Sequence, residues 1–256
     1  MSLSPLNITR LEKAAVDNGF DLERGRDGDW LIFGSSQASL QIWLTALGES
    51  CFLVAFSRCD VFDALTNMGV ASSNPVPKGA LAARSARDPS ALHRLVRRTF
   101  QLARALPDEP LKAFLDRTGS LPRTTEAERL IVQRIGQEVF RDRLFDYWEG
   151  RCAITGLGVP DLLRASHVKP WADCETDAER LDVFNGLLLA PHIDAAFDRG
   201  FITVADDGAV NVASLLDEEA RHVLGMQEPL RVHSLGEGHR RYLPWHRERV
   251  FRKANG

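Results

Sequence analysis

Leu162-Leu-Arg-Ala-Ser166-His167-Val-Lys-Pro170-Trp171 and, after a polar stretch, Phe184-Asn185-Gly-Leu-Leu-Leu-Ala-Pro191-His192-Ile-Asp194-Ala-Ala-Phe-Asp198 decide how this chain is read. Residues 162–168 form a predicted strand, which Pro170 ends because proline cannot donate to a ladder. Residues 173–182 read as a polar loop. Gly186 to Leu189 is unbroken apolar sequence, as expected of a short buried strand. Pro191 suits a helix entrance, and Gly200 a stop, so 192–199 is predicted as a short helix. The order is strand, loop, strand, helix. A histidine ends the first strand, an asparagine precedes the second, and a His/Asp cluster opens the helix. These residue types can surround a phosphodiester with one divalent ion and one neutral imidazole.

On the N-terminal side of this run, residues 151–156 read as a short strand and tight turn. Thr125-x-x-Glu128 is a capping box that starts a helix over about 126–148, with Gly150 as its stop. Leu130, Ile131, Ile135, Val139, Leu144, Phe145 and Trp148 give that helix an apolar stripe. On the C-terminal side, 201–204 and 209–212 form a predicted hairpin across Asp206-Asp-Gly208. Further upstream, 6–18 reads as a helix with Leu6, Leu11, Ala14, Ala15 and Val16 on one face. Asp27-Gly28 is a hairpin signal, and with 40–44 and 51–56 it predicts three or four antiparallel strands. Residues 60–68 form a predicted helix closed by Gly69. A loop follows at 74–79, then an amphipathic helix over 90–105. The expected fold class is α+β. An N-terminal α+β domain with a small antiparallel sheet spans 1–120, and a second domain spans 121–256, with the boundary near Thr118 to Arg123.

Composition sets the frame. The 256 residues are 44% hydrophobic and 26% charged, with net charge -3, ordinary for a globular chain and without a global basic field. Basic residues cluster locally: Arg84, Arg87, Arg94, Arg97, Arg98 and Arg104 stand against Asp88 alone, and a C-terminal group holds Arg240, Arg241, Arg247, Arg249, Arg252 and Lys253. Such patches serve equally as solvated faces or as phosphate contacts. The four cysteines contain no Cys-x-x-Cys pair, so neither a zinc knot nor a disulfide framework is signalled. There is no secretory signal pattern and no apolar run of the ~18 residues that a membrane span takes. A cytoplasmic protein with no membrane partner is the expectation. The N-terminal half has no glycine-rich phosphate loop.

Four motifs in order, Cys152-Ala-Ile-Thr155-Gly156, Ser166-His167-Val-Lys-Pro170-Trp171, Asn185-Gly186-Leu187-Leu-Leu189 and Phe197-Asp198-Arg-Gly200, resemble the HNH endonuclease family and its ββα-metal core, over roughly 126–204. The resemblance implies a metal-dependent endonuclease. His167 matches the general base, a role suited to an imidazole that titrates near neutrality. Asn185 matches the asparagine whose amide fixes loop and imidazole geometry. Asp194 lies where the last family histidine stands and would be a metal ligand, with His192 auxiliary. Asp198, one helical turn on, is either a second ligand or a brace. The ion is most simply Mg²⁺, with Mn²⁺, Ni²⁺ or Zn²⁺ as alternatives. Ser166 stands where many members carry a metal-binding residue. Thr155 replaces the second cysteine of zinc-knuckle variants, so no structural zinc is expected.

Arg164 and Lys169 flank the base and are candidate phosphate contacts, although solvated charges explain them nearly as well. Trp171 is expected to pack under the loop. Tyr242, Trp245 and Phe251 either contact nucleic acid or dock on the core. The leading expectation is a DNA endonuclease of restriction or defence type, with the N-terminal domain selecting the target and a homodimer if both strands are cut. The competing readings are a non-catalytic DNA-binding ββα module and an effector gated by a ligand or protein on the N-terminal domain.

Overall fold

The computed structural model describes residues 3–253, and the chain divides into two compact units, Met1–Glu109 and Pro110–Gly256. In the first, α1 (Pro5–Val16) begins where the Ser4 hydroxyl accepts from Asn7 N. It stops before Gly19, whose φ of +91° favours glycine. Leu11, Ala14 and Ala15 are buried; Leu6 and Val16, expected on the same face, are exposed. There follow β1 (Leu22–Asp27), β2 (Trp30–Gly34), β3 (Gln41–Ala46), β4 (Phe52–Phe56), α2 (Cys59–Ala64), β5 (Val70–Ala71), β6 (Ala82–Ala86) and α3 (Pro89–Ala105). The strands form one antiparallel sheet in the order β1-β2-β3-β4-β6-β5.

The predicted hairpin at Asp27-Gly28 is present, with Asp27 opposite Trp30. The sheet is wider than the three or four strands expected. Ala82-Ala-Arg-Ser-Ala86 carries few strand-favouring side chains. It is a strand because Ala83 and Ala55, opposite each other, are small enough to pack with Trp43 under Val76 and Ala80. The predicted helix 60–68 is also shorter, ending at Ala64. α3 lies as predicted: Asp88 accepts from Ala91 N at 2.7 Å, and Leu92, Leu95, Val96, Thr99 and Leu102 are buried. Its basic face is smaller than the sequence suggests. Arg94 and Arg97 are exposed, whereas Arg98 and Arg104 are partly buried and engaged, Arg104 over the Phe100 ring.

The second unit takes in nearly all of α4 (Glu109–Thr118), so the chain divides earlier than Thr118 to Arg123. The reason is packing: Phe114 of α4 is buried beside Gly136 of α5 (Glu126–Tyr147). The capping box forms in full, with Glu128 N donating to Thr125 Oγ1 and Thr125 N to Glu128 Oε2. The buried face of α5 is Val132, Gly136, Val139, Phe140, Leu144 and Tyr147; Leu130 and Ile131, assigned to the stripe, are exposed.

Residues 151–157 form a turn instead of the predicted strand. Cys152 Sγ accepts from Thr155 N and Ala190 N, both at 3.3 Å, which ties the turn to the entrance of the site helix. Then come β7 (Arg164–His167), α6 (Asp177–Leu181), β8 (Gly186–Leu189), α7 (Pro191–Asp198), β9 (Ile202–Val204), β10 (Val210–Val212), α8 (Glu218–Val223) and α9 (Leu243–Arg249). β7 pairs antiparallel with β8, and the β9–β10 hairpin follows α7.

The C-terminal segment docks on this unit. Tyr242 is buried, and its hydroxyl donates to Asp182 Oδ2 at 2.9 Å. His246 stacks on Phe197 at 3.8 Å, donates from Nε2 to Phe197 O and accepts at Nδ1 from Thr203 Oγ1. Gly200, at φ +73°, is needed where the chain end approaches, since a Cβ there would lie 2.0 Å from Val250 O. Among the described residues no helix is long and apolar enough to cross a membrane.

Candidate active site

β7, β8 and α7 bring the predicted residues to one place. His167 ends β7 opposite Gly186 in register. Its Nε2 lies 2.9 Å from Arg180 O. A carbonyl only accepts, so Nε2 carries the proton and Nδ1 keeps its lone pair. Among the described residues Nδ1 has no hydrogen-bond partner. The ring stacks on Phe140 at 3.7 Å and meets Trp171 edge-on at 5.8 Å. Burial holds the imidazole down at about 4, against the carbonyl bond that raises it, so it is neutral at physiological pH.

Asn185 is fully buried and touches the backbone on both sides of this arrangement. Its Oδ1 accepts from Lys169 N at 2.8 Å, and its Nδ2 donates to Lys169 O at 3.1 Å and Glu179 O at 3.2 Å. One partner lies two residues after His167, the other one residue before Arg180. Asn185 therefore positions the histidine and its acceptor carbonyl through the backbone, and it is no candidate for contact with a substrate.

The loop between the strands is a braced structure and contains α6. Thr176 caps that helix by accepting from Glu179 N, a Thr-x-x-Glu signal present in the sequence but passed over in the polar-loop reading. Arg180 is the second brace: its guanidinium donates to Trp171 O, Cys174 O and Asp177 Oδ1. Lys169, a candidate phosphate contact, is paired with Glu179 at 2.7 Å. That hydrogen bond raises its pKa and commits its ammonium to the loop. Arg164 stays exposed at the start of β7. Trp171 packs beneath the loop, as expected.

α7 presents Asp194 and Asp198 one turn apart. Ser166, buried on β7, donates from Oγ to Asp198 Oδ1 at 3.0 Å. Burial raises the Asp194 carboxyl, against Ser166 and Arg164, which hold it down. Burial and then the charge of Asp194 raise Asp198, against Ser166. His192 is exposed and only two residues from Asp194, a spacing that places the two on different sides of a helix. It is not brought to the carboxylates. Among the described residues no three His, Cys, Asp or Glu side chains converge as a ready metal cluster. Asp194 and Asp198 are two oxygen donors, the second raised by the charge of the first, that could hold a hard divalent ion such as Mg²⁺. That ion keeps several waters and takes one or two carboxylates together with substrate phosphate.

Two further histidines sit behind the site. His239 is fully buried, donates from Nδ1 to Gly236 O and is caged by Tyr147, Trp148 and Phe184. Burial lowers both His239 and His246 to about 4. With His167, three imidazoles are neutral in the folded chain and would charge near 6.5 once unfolded. The unfolded state then binds more protons, so stability is complete above about pH 6.5 and declines as pH falls towards 4. Raised Asp182, Asp194 and Asp198 act oppositely at the acid end. The steep region is therefore expected near pH 5–6.5, with a slope of at most roughly 4 kcal/mol per pH unit. Urea midpoints from pH 7.5 to 4.5 measure it, and a flat profile would contradict the assigned protonation states.

No curated protein matches the chain. Residues 152–205, from the Cys152 turn through β9, match the family model described as HNH endonuclease. This segment is thus similar to the HNH endonuclease family, a likeness that points to nuclease activity on nucleic acid.

Proposed function

We propose that the second unit is a divalent-metal-dependent endonuclease that hydrolyses DNA phosphodiesters, with His167 as general base. The observation that carries this reading is the His167 imidazole: neutral, with its Nε2 proton given to Arg180 O and its Nδ1 lone pair uncommitted. Such a ring can take a proton from water at neutral pH. Nδ1 removes the proton of the attacking water as its oxygen bonds to phosphorus. The bond to the leaving oxygen breaks, that oxygen takes a proton from solvent, and His167 returns its own to solvent, giving a 5′-phosphate and a 3′-hydroxyl. Nε2–H to Arg180 O keeps the ring in one tautomer, and Asn185 keeps that carbonyl in place. Asp194 and Asp198 would hold the ion, with the Ser166 hydroxyl orienting Asp198. When bound, a divalent ion supplies positive charge at the scissile phosphate and the leaving oxygen. Arg164 is the exposed cation available for a flanking phosphate.

A restriction or defence role follows as part of the proposal, with the first unit selecting the target. One ββα site makes one nick, so cutting both strands calls for a homodimer. The test is supercoiled plasmid DNA, plain and base-modified, with Mg²⁺, Mn²⁺ or Ni²⁺ and with EDTA. Metal-dependent nicking or linearisation, with ligatable ends, is expected. Absence of metal-dependent cutting on every DNA offered would sink the reading in favour of a non-catalytic module.

A further inference from the structure

The matched segment 152–205 leaves out α5, yet one face of α5 meets the proposed base directly through Phe140 and indirectly through Trp171. Gly136, Phe140 and Leu144 are spaced by four residues and share that face. Phe140 is buried and lays its ring parallel to His167, 3.7 Å away and tilted by 14°. Gly136 is the notch for Trp171: a Cβ at this position would lie 2.5 Å from the indole Cη2. Trp171 in turn stands edge-on to the His167 ring at 89°. The same face meets the partner strand at Gly186, the residue opposite His167, where a Cβ would be 2.5 Å from Phe140 Cζ and 2.9 Å from Leu144.

We propose that Phe140 is a positioning residue for the reaction, with Gly136 acting alongside it through Trp171: α5 sets the plane of the His167 ring so that Nδ1 is presented to the attacking water. This rests on the nuclease reading of His167. A single hydrogen bond at Nε2 fixes one atom of the ring and leaves rotation about the Nε2–Cβ direction open. The flat face of Phe140 removes that freedom, and the Trp171 edge closes the other approach. β7, β8 and α7 themselves contribute no flat face, and Trp171, on the loop between the strands, is seated by Gly136 of α5. The helix is thereby part of the catalytic apparatus in addition to its packing role.

The experiment uses the full chain and two substitutions. Phe140→Leu keeps most of the buried volume but has no flat face, and Gly136→Ala displaces Trp171 while leaving Phe140 intact. Each is checked for a native-like amide NMR spectrum, then measured in single-turnover cleavage of plasmid DNA and by NMR of the His167 ring C–H protons. The ring stacking places those protons over Phe140, so they are expected to resonate upfield in the wild type. For Phe140→Leu the expected result is a loss of about 100-fold in kcat with KM within about twofold, since misplacing a reacting group by ~1 Å costs this much. The upfield shift should disappear as well. Gly136→Ala should lower kcat in the same sense and by less. A folded Phe140→Leu protein that cuts at the wild-type rate, or whose deficit lies in KM, overturns the proposal. Unchanged His167 ring shifts overturn it too. If the wild type cuts no DNA, the nuclease reading fails, and the ring shifts still decide whether Phe140 orients His167.

Discussion

His167→Ala is expected to lower metal-dependent DNA cleavage by about 10³-fold, within the range that a positioned general base contributes. The imidazole is neutral, oriented by a carbonyl at 2.9 Å and still able to accept a proton. DNA affinity should change little, because the ring carries no charge at neutral pH and Arg164 remains. The alanine also leaves a cavity between Phe140 and Trp171, so some loss of melting temperature will accompany the loss of activity. His167→Gln separates the two effects. It fills most of the space and can donate to Arg180 O, but it cannot act as a base near pH 7. Single-turnover cleavage with melting curves and DNA-binding isotherms makes the comparison. A His167→Gln protein that cuts at the wild-type rate would assign the base elsewhere.

The second large effect is expected at Asp194 and Asp198. The double change to asparagine should abolish detectable cleavage at millimolar Mg²⁺ and weaken binding of the ion by calorimetry. It should also make the ion-free protein slightly more stable. The reason is that both carboxyls are raised, first by burial and, at Asp198, by the neighbouring Asp194 charge. Asp198 is more exposed than Asp194, so solvent screening limits the gain to about 0.5–1 kcal/mol. With Mg²⁺ present the order reverses, because only the wild type gains stability from binding the ion. Melting curves with and without Mg²⁺ read both signs. A double variant that is less stable without the ion and still cuts would make the pair a structural brace.

Much of this was legible in the sequence because the signals are local. The Thr125/Glu128 capping box, the Asp27-Gly28 turn and the α3 apolar stripe all stand where their residue types place them. The strand–loop–strand–helix order is equally visible. What the sequence misplaced depends on what lies across from a residue. Ala82–Ala86 looks like no strand until Trp43 requires small neighbours. Leu130 and Ile131 look like core until α5 turns its Val132–Gly136–Phe140 face inward. Lys169 looks like a phosphate contact until Glu179 folds back on it.

The sequence by itself therefore determined which candidate residues there are and their order along the chain: His167, Asn185, Asp194 and Asp198 on a strand–strand–helix frame. Spacing along an element is encoded locally, so no partner is needed to read it. Tertiary structure alone decided what each of them meets. The acceptor for His167 is a backbone carbonyl, which no side-chain pattern can announce, and its ring plane is set by Phe140 on a helix outside the motif. Proton location, ring orientation and shared charge are properties of groups that meet across the fold, and these are what make the motif's residues a candidate site for hydrolysis.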